Sequence, residues 1–243
     1  MGRCASYLIL AGFLLSAAGC RNSDAPQSSS AAEPVAQPAL ASTADTPRTP
    51  QHDPPTPADD HRPVVACFGD SLTAGHGADL GSSYPDYLQK DLKHDGFNVR
   101  VVNLGVSGNT SKDGVDRLPQ VLALKPQIVV VEFGGNDGLR GLKVETTRQN
   151  LATMIEALKA AHSKVVIAGI TLPPDYGPDY ISRFTANYAS LGQQYHLPVL
   201  PFLLKNVYGV PGMMQSDETH ATNAGNEVVA RNVLPYVEKL LKK

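Results

Sequence analysis

The chain has 243 residues, 42% hydrophobic and 18% charged, with a formal net charge of −2. Four of its 21 basic and six of its 23 acidic residues precede residue 63, so 63–243 carries 17 of each and no net charge. That balance gives no support to nucleic-acid binding, which calls for a basic face, and 181 residues suit one domain.

The N-terminus reads as a targeting segment. Arg3 precedes a mainly apolar run from Ala5 to Ala18. At about 14 residues it is short of the ~20 that a membrane span requires, so 1–19 is expected to be a secretory signal peptide. Ser16-Ala17-Ala18-Gly19-Cys20 resembles a bacterial lipoprotein signal, in which Cys20 becomes the lipidated first residue of the mature chain. Ala17 departs from that pattern, which usually has Leu there, and cleavage beside Ala18 without lipidation is the alternative. Residues 20–62 are rich in Pro, Ala and Ser, with no aromatic residue and only Val35 and Leu40 as large aliphatics. They cannot bury enough apolar surface to offset about 1–2 kcal/mol of backbone ordering per residue. They are expected to be a disordered tether holding the domain off a membrane, outside the cytoplasm, in the periplasm or as an outer-membrane lipoprotein. Cys67 would then be a lone thiol, with no disulfide framework.

Beyond residue 63, strands and helices alternate. Short apolar runs at 63–68, 98–102, 127–133, 164–170 and 198–202 suit strands buried on both faces. Between them, Tyr84, Tyr87, Leu88 and Leu92 mark a helix ending near Gly96. Val115, Leu118, Val121 and Leu122 mark a second with Pro119 as its weak point. Leu151, Ile155 and Leu158 mark a third, and Phe184, Tyr188 and Leu191 a fourth. The last helix spans about 223–241, with Val229, Val233, Val237 and Leu241 facing inward and a kink or break at Pro235. The alternation predicts an α/β fold: a three-layer α/β/α sandwich around a five-stranded parallel sheet. Its ligand would bind at the carboxyl ends of the strands.

Polar clusters follow those strand ends. Gly69-Asp70-Ser71-Leu72-Thr73 follows the first, the stretch from Asn103 to Thr110 the second, and Gly134-Gly135-Asn136-Asp137 the third. Asp217-Glu218-Thr219-His220 precedes the last helix. Ser71 is the candidate nucleophile, which needs a base within hydrogen-bond reach. His220 can serve as base and Asp217 can fix its tautomer. His76 is the rival base because it lies close to Ser71 in sequence. Acyl transfer also needs donors for the oxyanion: the Ser71 N–H, the Gly108 N–H and the Asn136 amide are the candidates. Taken singly, each of these residues is equally a cap or turn residue.

Together the blocks Gly-Asp-Ser-Leu at 69–72, Val-Ser-Gly-Asn-Thr at 106–110, Gly-Gly-Asn-Asp-Gly-Leu-Arg-Gly at 134–141 and Asp-Glu-Thr-His at 217–220 resemble those of the GDSL, or SGNH, hydrolases. Order and spacing agree over essentially all of 63–243. Within that family the chain is most similar to the bacterial periplasmic thioesterase, arylesterase and lysophospholipase group, with Leu172 to Gly177, Leu200-Pro201-Phe202 and Met214-Gln215 in support. The resemblance implies a flavodoxin-like fold, Ser71, His220 and Asp217 as triad, and an oxyanion hole of Ser71, Gly108 and Asn136. It implies acyl esters, lysophospholipids or thioesters as substrates and no cofactor or metal. Leu139 and Arg140 on one loop, and Pro173 and Tyr176 on another, would wall the acyl groove. Ala221 stands where the family commonly has Pro, which leaves the roles intact and is expected to loosen the turn that places His220. A site within one domain suits a monomer. The alternatives are a sugar or peptidoglycan O-acetylesterase on the same fold, or a non-catalytic lipid-binding surface lipoprotein.

Overall fold

The computed structural model describes residues 60–242. The signal segment 1–19, Cys20 and nearly all of the proposed tether lie outside the described residues. Where the described chain begins, Asp60 pairs with Arg62 at 2.7 Å and with Arg100 at 3.7 Å, and the Arg62 guanidinium donates to the Val99 carbonyl at 3.3 Å.

Five parallel strands form one sheet in the order β2-β1-β3-β4-β5: β1 Val64–Gly69, β2 Arg100–Gly105, β3 Ile128–Glu132, β4 Lys164–Ala168 and β5 Val199–Leu200. β1 lies between β2 and β3, with Val65 beside both Val101 and Ile128. β1 and β3 are buried along their whole length, whereas every residue of β2 is only half-buried. Two-sided burial therefore holds for the central strands and not for β2, which is an edge.

β2 also sits later than its apolar run predicts. Its pairing from Val64–Arg100 to Gly69–Gly105 extends it through Asn103, Leu104 and Gly105. The polar Asn103 is accommodated because its amide donates to Ser83 and its oxygen accepts the Gly105 N–H. β5 stops at Leu200, since Pro201 has no N–H to extend the ladder.

Among the described residues seven helices connect and cover the sheet: α1 Ser71–Ala74, α2 Tyr84–His94, α3 Ser111–Ala123, α4 Gly135–Leu139, α5 Val144–Ala160, α6 Pro178–Tyr195 and α7 Asn223–Leu241. A 3-10 turn covers Pro174–Tyr176. Capping boxes start α2 (Ser83 with Asp86) and α3 (Thr110 with Asp113), each satisfying two otherwise orphaned N–H groups. α2 packs on α7, while α3, α5 and α6 pack in series.

Neither internal proline breaks its helix. α3 runs through Pro119, and α7 is continuous through Pro235. The predicted break at Pro235 does not occur: Val229 and Val233 before it and Val237 after it are all buried in the core. That packing outweighs one lost backbone hydrogen bond. In the core Phe68 and Phe133 meet edge to face at 4.8 Å, a favourable aromatic geometry. Among the described residues no helix is long and apolar enough to cross a membrane.

Candidate active site

The site forms where β1, β2 and β3 end. Asp70 caps α1, its Oδ1 accepting the Leu72 N–H at 3.0 Å. One helical turn later, Gly75 closes α1 with φ +76°, a conformation glycine adopts at little cost. Ser71 is thus held at the open N-terminus of a four-residue helix. Gly69 must be glycine for space: a Cβ there would overlap the Thr73 hydroxyl and a Glu132 carboxylate oxygen.

Ser71 Oγ lies 2.8 Å from His220 Nε2, and His220 Nδ1 lies 2.6 Å from Asp217 Oδ2. A carboxylate can only accept, so Nδ1 carries the hydrogen and Nε2 is left free to accept from Ser71. Asp217 Oδ1 accepts the backbone N–H groups of Thr219 and His220, both at 3.0 Å. Partial burial works to raise the Asp217 carboxyl. The hydrogen bonds from the His220 ring and from the two backbone N–H groups outweigh it and bring it down to about 2. Asp217 is therefore ionised at any pH at which the protein would work.

The strand-like arm carrying this pair is held locally. Met214 and Ala221 form an antiparallel bridge, flanked by Gln215 N–H to His220 O at 2.8 Å and Thr222 N–H to Met213 O at 2.9 Å. The Gln215 side-chain amide donates to the His76 and Ala221 carbonyls at 2.6 and 2.8 Å. Ala221 is buried in this turn, and bridge and amide together locate His220. His76 stands with its ring centroid 4.5 Å from that of His220, and its Nδ1 lies 3.4 Å from Ser107 Oγ. The nitrogen in contact with Ser71 belongs to His220.

Gly108 lies on the loop after β2 with φ +80°, and Asn136 lies in the first turn of α4. Ser71, Gly108 and Asn136 all line one cleft with His220. Both hydrogens of the Asn136 amide are engaged, to Asn109 O at 3.0 Å and Asp70 Oδ2 at 3.2 Å. Asp70 is 2% exposed. Burial raises its carboxyl, against the bonds from Leu72 N–H and its other partners, to about 6.

The cleft has a volume of about 320 Å³. Beside the polar groups named above, Leu139, Ile170, Leu172, Pro173, Phe202 and Leu204 line it. Leu139 and Pro173, two of the four residues expected to wall the acyl groove, line this cleft. Arg140 and Tyr176 do not line the cleft. Tyr176 donates its hydroxyl to the Leu139 carbonyl at 2.8 Å, and Arg140 donates to the Gly108 carbonyl at 2.9 Å, so each ties its own loop to a neighbouring one. Phe202 belongs to the Leu-Pro-Phe stretch that supports the resemblance, whereas Ile170 and Leu204 carry no signal beyond lying near the ends of β4 and β5.

Residues 67–228 match the model of the GDSL-like lipase/acylhydrolase family. The chain is 44% identical over 179 residues to the esterase TesA of Pseudomonas aeruginosa, covering 73% of this chain and 89% of that protein. It is 37% identical over 168 residues to the thioesterase 1/protease 1/lysophospholipase L1 of Escherichia coli K12, covering 69% of this chain and 79% of that protein. A crystal structure of TesA superposes with a TM-score of 0.70 at 43% identity, covering 73% of this chain and 99% of that one. With a match over most of the domain, the chain belongs to the GDSL-like lipase/acylhydrolase family, and it is an ester hydrolase of the GDSL type.

Proposed function

We propose that the protein is a serine esterase that works through an acyl-enzyme intermediate and binds its substrate by an apolar acyl chain. The carrying observation is the relay from Ser71 through His220 to Asp217, at 2.8 and 2.6 Å, opening onto an apolar cleft.

Ser71 Oγ attacks the acyl carbonyl while its proton passes to His220 Nε2. Asp217 stabilises the resulting imidazolium and does not itself take the proton. The carbonyl oxygen, now an anion, is met by the N–H groups of Ser71 and Gly108 and the amide of Asn136. The C–O bond to the alcohol then breaks, and His220 returns its proton to the leaving oxygen. Water repeats the sequence on the acyl-serine: His220 takes its proton, the acid leaves, and Ser71 recovers its hydrogen.

The apolar lining favours acyl chains longer than acetyl over O-acetyl sugars or peptidoglycan. Aryl esters, lysophospholipids and acyl thioesters all fit this chemistry. The reading of 1–62 as signal and tether puts the enzyme outside the cytoplasm, anchored through Cys20, where esters are commoner than acyl-CoA. A site complete within one chain suits a monomer.

The test is hydrolysis of a p-nitrophenyl ester series by the full chain. Activity should rise from acetyl to medium acyl lengths, since each methylene in an apolar pocket is worth about 1–3 kcal/mol. It should vanish in Ser71→Ala. Unchanged turnover in that variant excludes the mechanism, and a sharp peak at acetyl favours the O-acetylesterase. Cys20→Ala should move the protein from the membrane to the soluble fraction.

A further inference from the structure

Beneath the nucleophile turn lies a carboxyl group that these steps do not use. Glu132, the last residue of β3, is fully buried. Its Oε2 accepts the Thr73 hydroxyl at 2.8 Å and the Asp70 N–H at 3.2 Å. Its Oε1 is buried with no hydrogen-bond partner. The groups facing this carboxyl are the Asp70 carboxylate beyond β1, the Tyr84 phenol from α2, which contacts Thr73 at 3.2 Å, and the Tyr188 phenol from α6. Asp70 is itself an acid, and none of the others carries a positive charge at neutral pH.

Two adjacent buried carboxylates with no cation between them cannot both be ionised. The hydrogen-bond pattern decides which one keeps the proton. Asp70 receives donors at both oxygens, from Leu72 N–H and Asn136. Glu132 receives both donors at Oε2 and none at Oε1, so Oε1 is the oxygen suited to carry a hydrogen. Burial, and after it the Asp70 charge, push the Glu132 carboxyl well above its usual range.

We propose that Glu132 is a positioning residue: a neutral carboxylic acid that clamps Asp70 and Thr73, on either side of Ser71, to the end of β3. It leaves the negative charge of this pair on Asp70, which holds the Asn136 amide. The inference rests on the roles given above to Ser71 and Asn136. It explains why Gly69 admits no side chain, because the space of that Cβ is filled by the two partners of the clamp, Thr73 and Glu132. It also explains an acid in the middle strand of a parallel sheet, where such residues are rare.

The test compares Glu132→Gln, Glu132→Ala and Thr73→Val in the full chain. Glutamine is neutral, the same shape, and offers a carbonyl oxygen to both donors. Its kcat should stay within about threefold of wild type, whereas alanine should lose about 10–100-fold in kcat at nearly constant KM, the scale of a small misplacement of the nucleophile. Thr73→Val, which cuts one of the two bonds, should fall between. Rescue by glutamine separates positioning from simple packing.

An infrared readout is independent of activity. At pH 8 the wild-type protein, and equally Ser71→Ala, should show the C=O stretch of a neutral carboxylic acid that is missing in Glu132→Gln. Asp70, at about 6, is ionised there and does not contribute. If alanine fails to fold, the glutamine and valine variants and the infrared band still decide. A missing band, a glutamine variant as slow as alanine, or an alanine variant at wild-type rate overturns the proposal. An active Ser71→Ala that keeps the band overturns only the catalytic reading.

Discussion

Asn136→Ala removes a side chain that the structure uses twice. At rest its two amide hydrogens go to Asn109 O at 3.0 Å and Asp70 Oδ2 at 3.2 Å. An oxyanion in the cleft must draw on one of them, and the longer bond to Asp70 is the one to yield. Losing a single oxyanion donor costs about 2.7–4 kcal/mol of barrier, or about 10²–10³-fold in kcat. The donor acts in the transition state, so KM should stay within about threefold. The same truncation leaves Asp70 Oδ2, in a side chain only 2% exposed, short of a donor, at about 1–3 kcal/mol of stability. For a domain of this size each kcal/mol lowers Tm by about 2–4 °C.

The pH dependence carries a sign. The Asp70 carboxyl is raised from 3.8 to about 6, so the folded state binds its proton more tightly than the unfolded chain does. That contribution is full below about pH 4 and is lost as pH rises through about 6. Asn136 is one of the groups holding Asp70 down, so in the variant the loss should extend to higher pH. Initial rates on p-nitrophenyl butyrate and thermal melts from pH 4 to 9 read the two effects separately. A folded variant with kcat within about threefold of wild type would refute the assignment of Asn136 as a donor.

Asp217→Asn should lower kcat by about 10³–10⁴-fold with little change in KM, because an amide facing Nδ1 favours the wrong imidazole tautomer. Steady-state kinetics on one ester checks this. Gly138→Ala would overlap the Leu172 side chain at the cleft wall. It should push Leu172 into the groove and shift the acyl-chain optimum toward shorter esters, read from a chain-length series. The Cys67 thiol is fully buried, and that burial pushes it up to about 12. In a variant with Cys67 as the only cysteine, a thiol-specific chromogenic reagent should react only after denaturant is added, since the thiolate is the reacting form.

Much of the site is legible in the sequence because its groups lie in short local blocks. Ser71, Asn136 and His220 each follow a recognisable turn, and Gly108 needs the positive φ that its neighbours in Val-Ser-Gly-Asn-Thr suggest. What the sequence leaves unread is nonlocal. Glu132 sits inside an apolar run and reads as a strand residue, since its partners Asp70 and Thr73 are 62 and 59 positions away. Arg140 and Tyr176 spend their polar groups on the Gly108 and Leu139 carbonyls, partners 32 and 37 positions away. Pro235 reads as a break because local propensity is visible and the packing of Val233 and Val237 that overrides it is not. The late start of β2 has the same origin: pairing with β1, rather than the apolar run, sets its register.

The two halves of the relay are built to different standards. Ser71 stands on a turn pinned from beneath by fully buried hydrogen bonds. His220 hangs from a short arm whose ties are one bridge and the amide of Gln215, and its partner Asp217 has 43% of its side chain in solvent. Regions with few buried contacts open at lower free energy than the core. On warming, the arm would let go of the serine while the sheet and its tightly held turn were still intact. Shelf life as a catalyst would then be governed by eight residues, Met214 to Ala221, and an engineer seeking heat resistance would gain more from stiffening that arm than from repacking the interior.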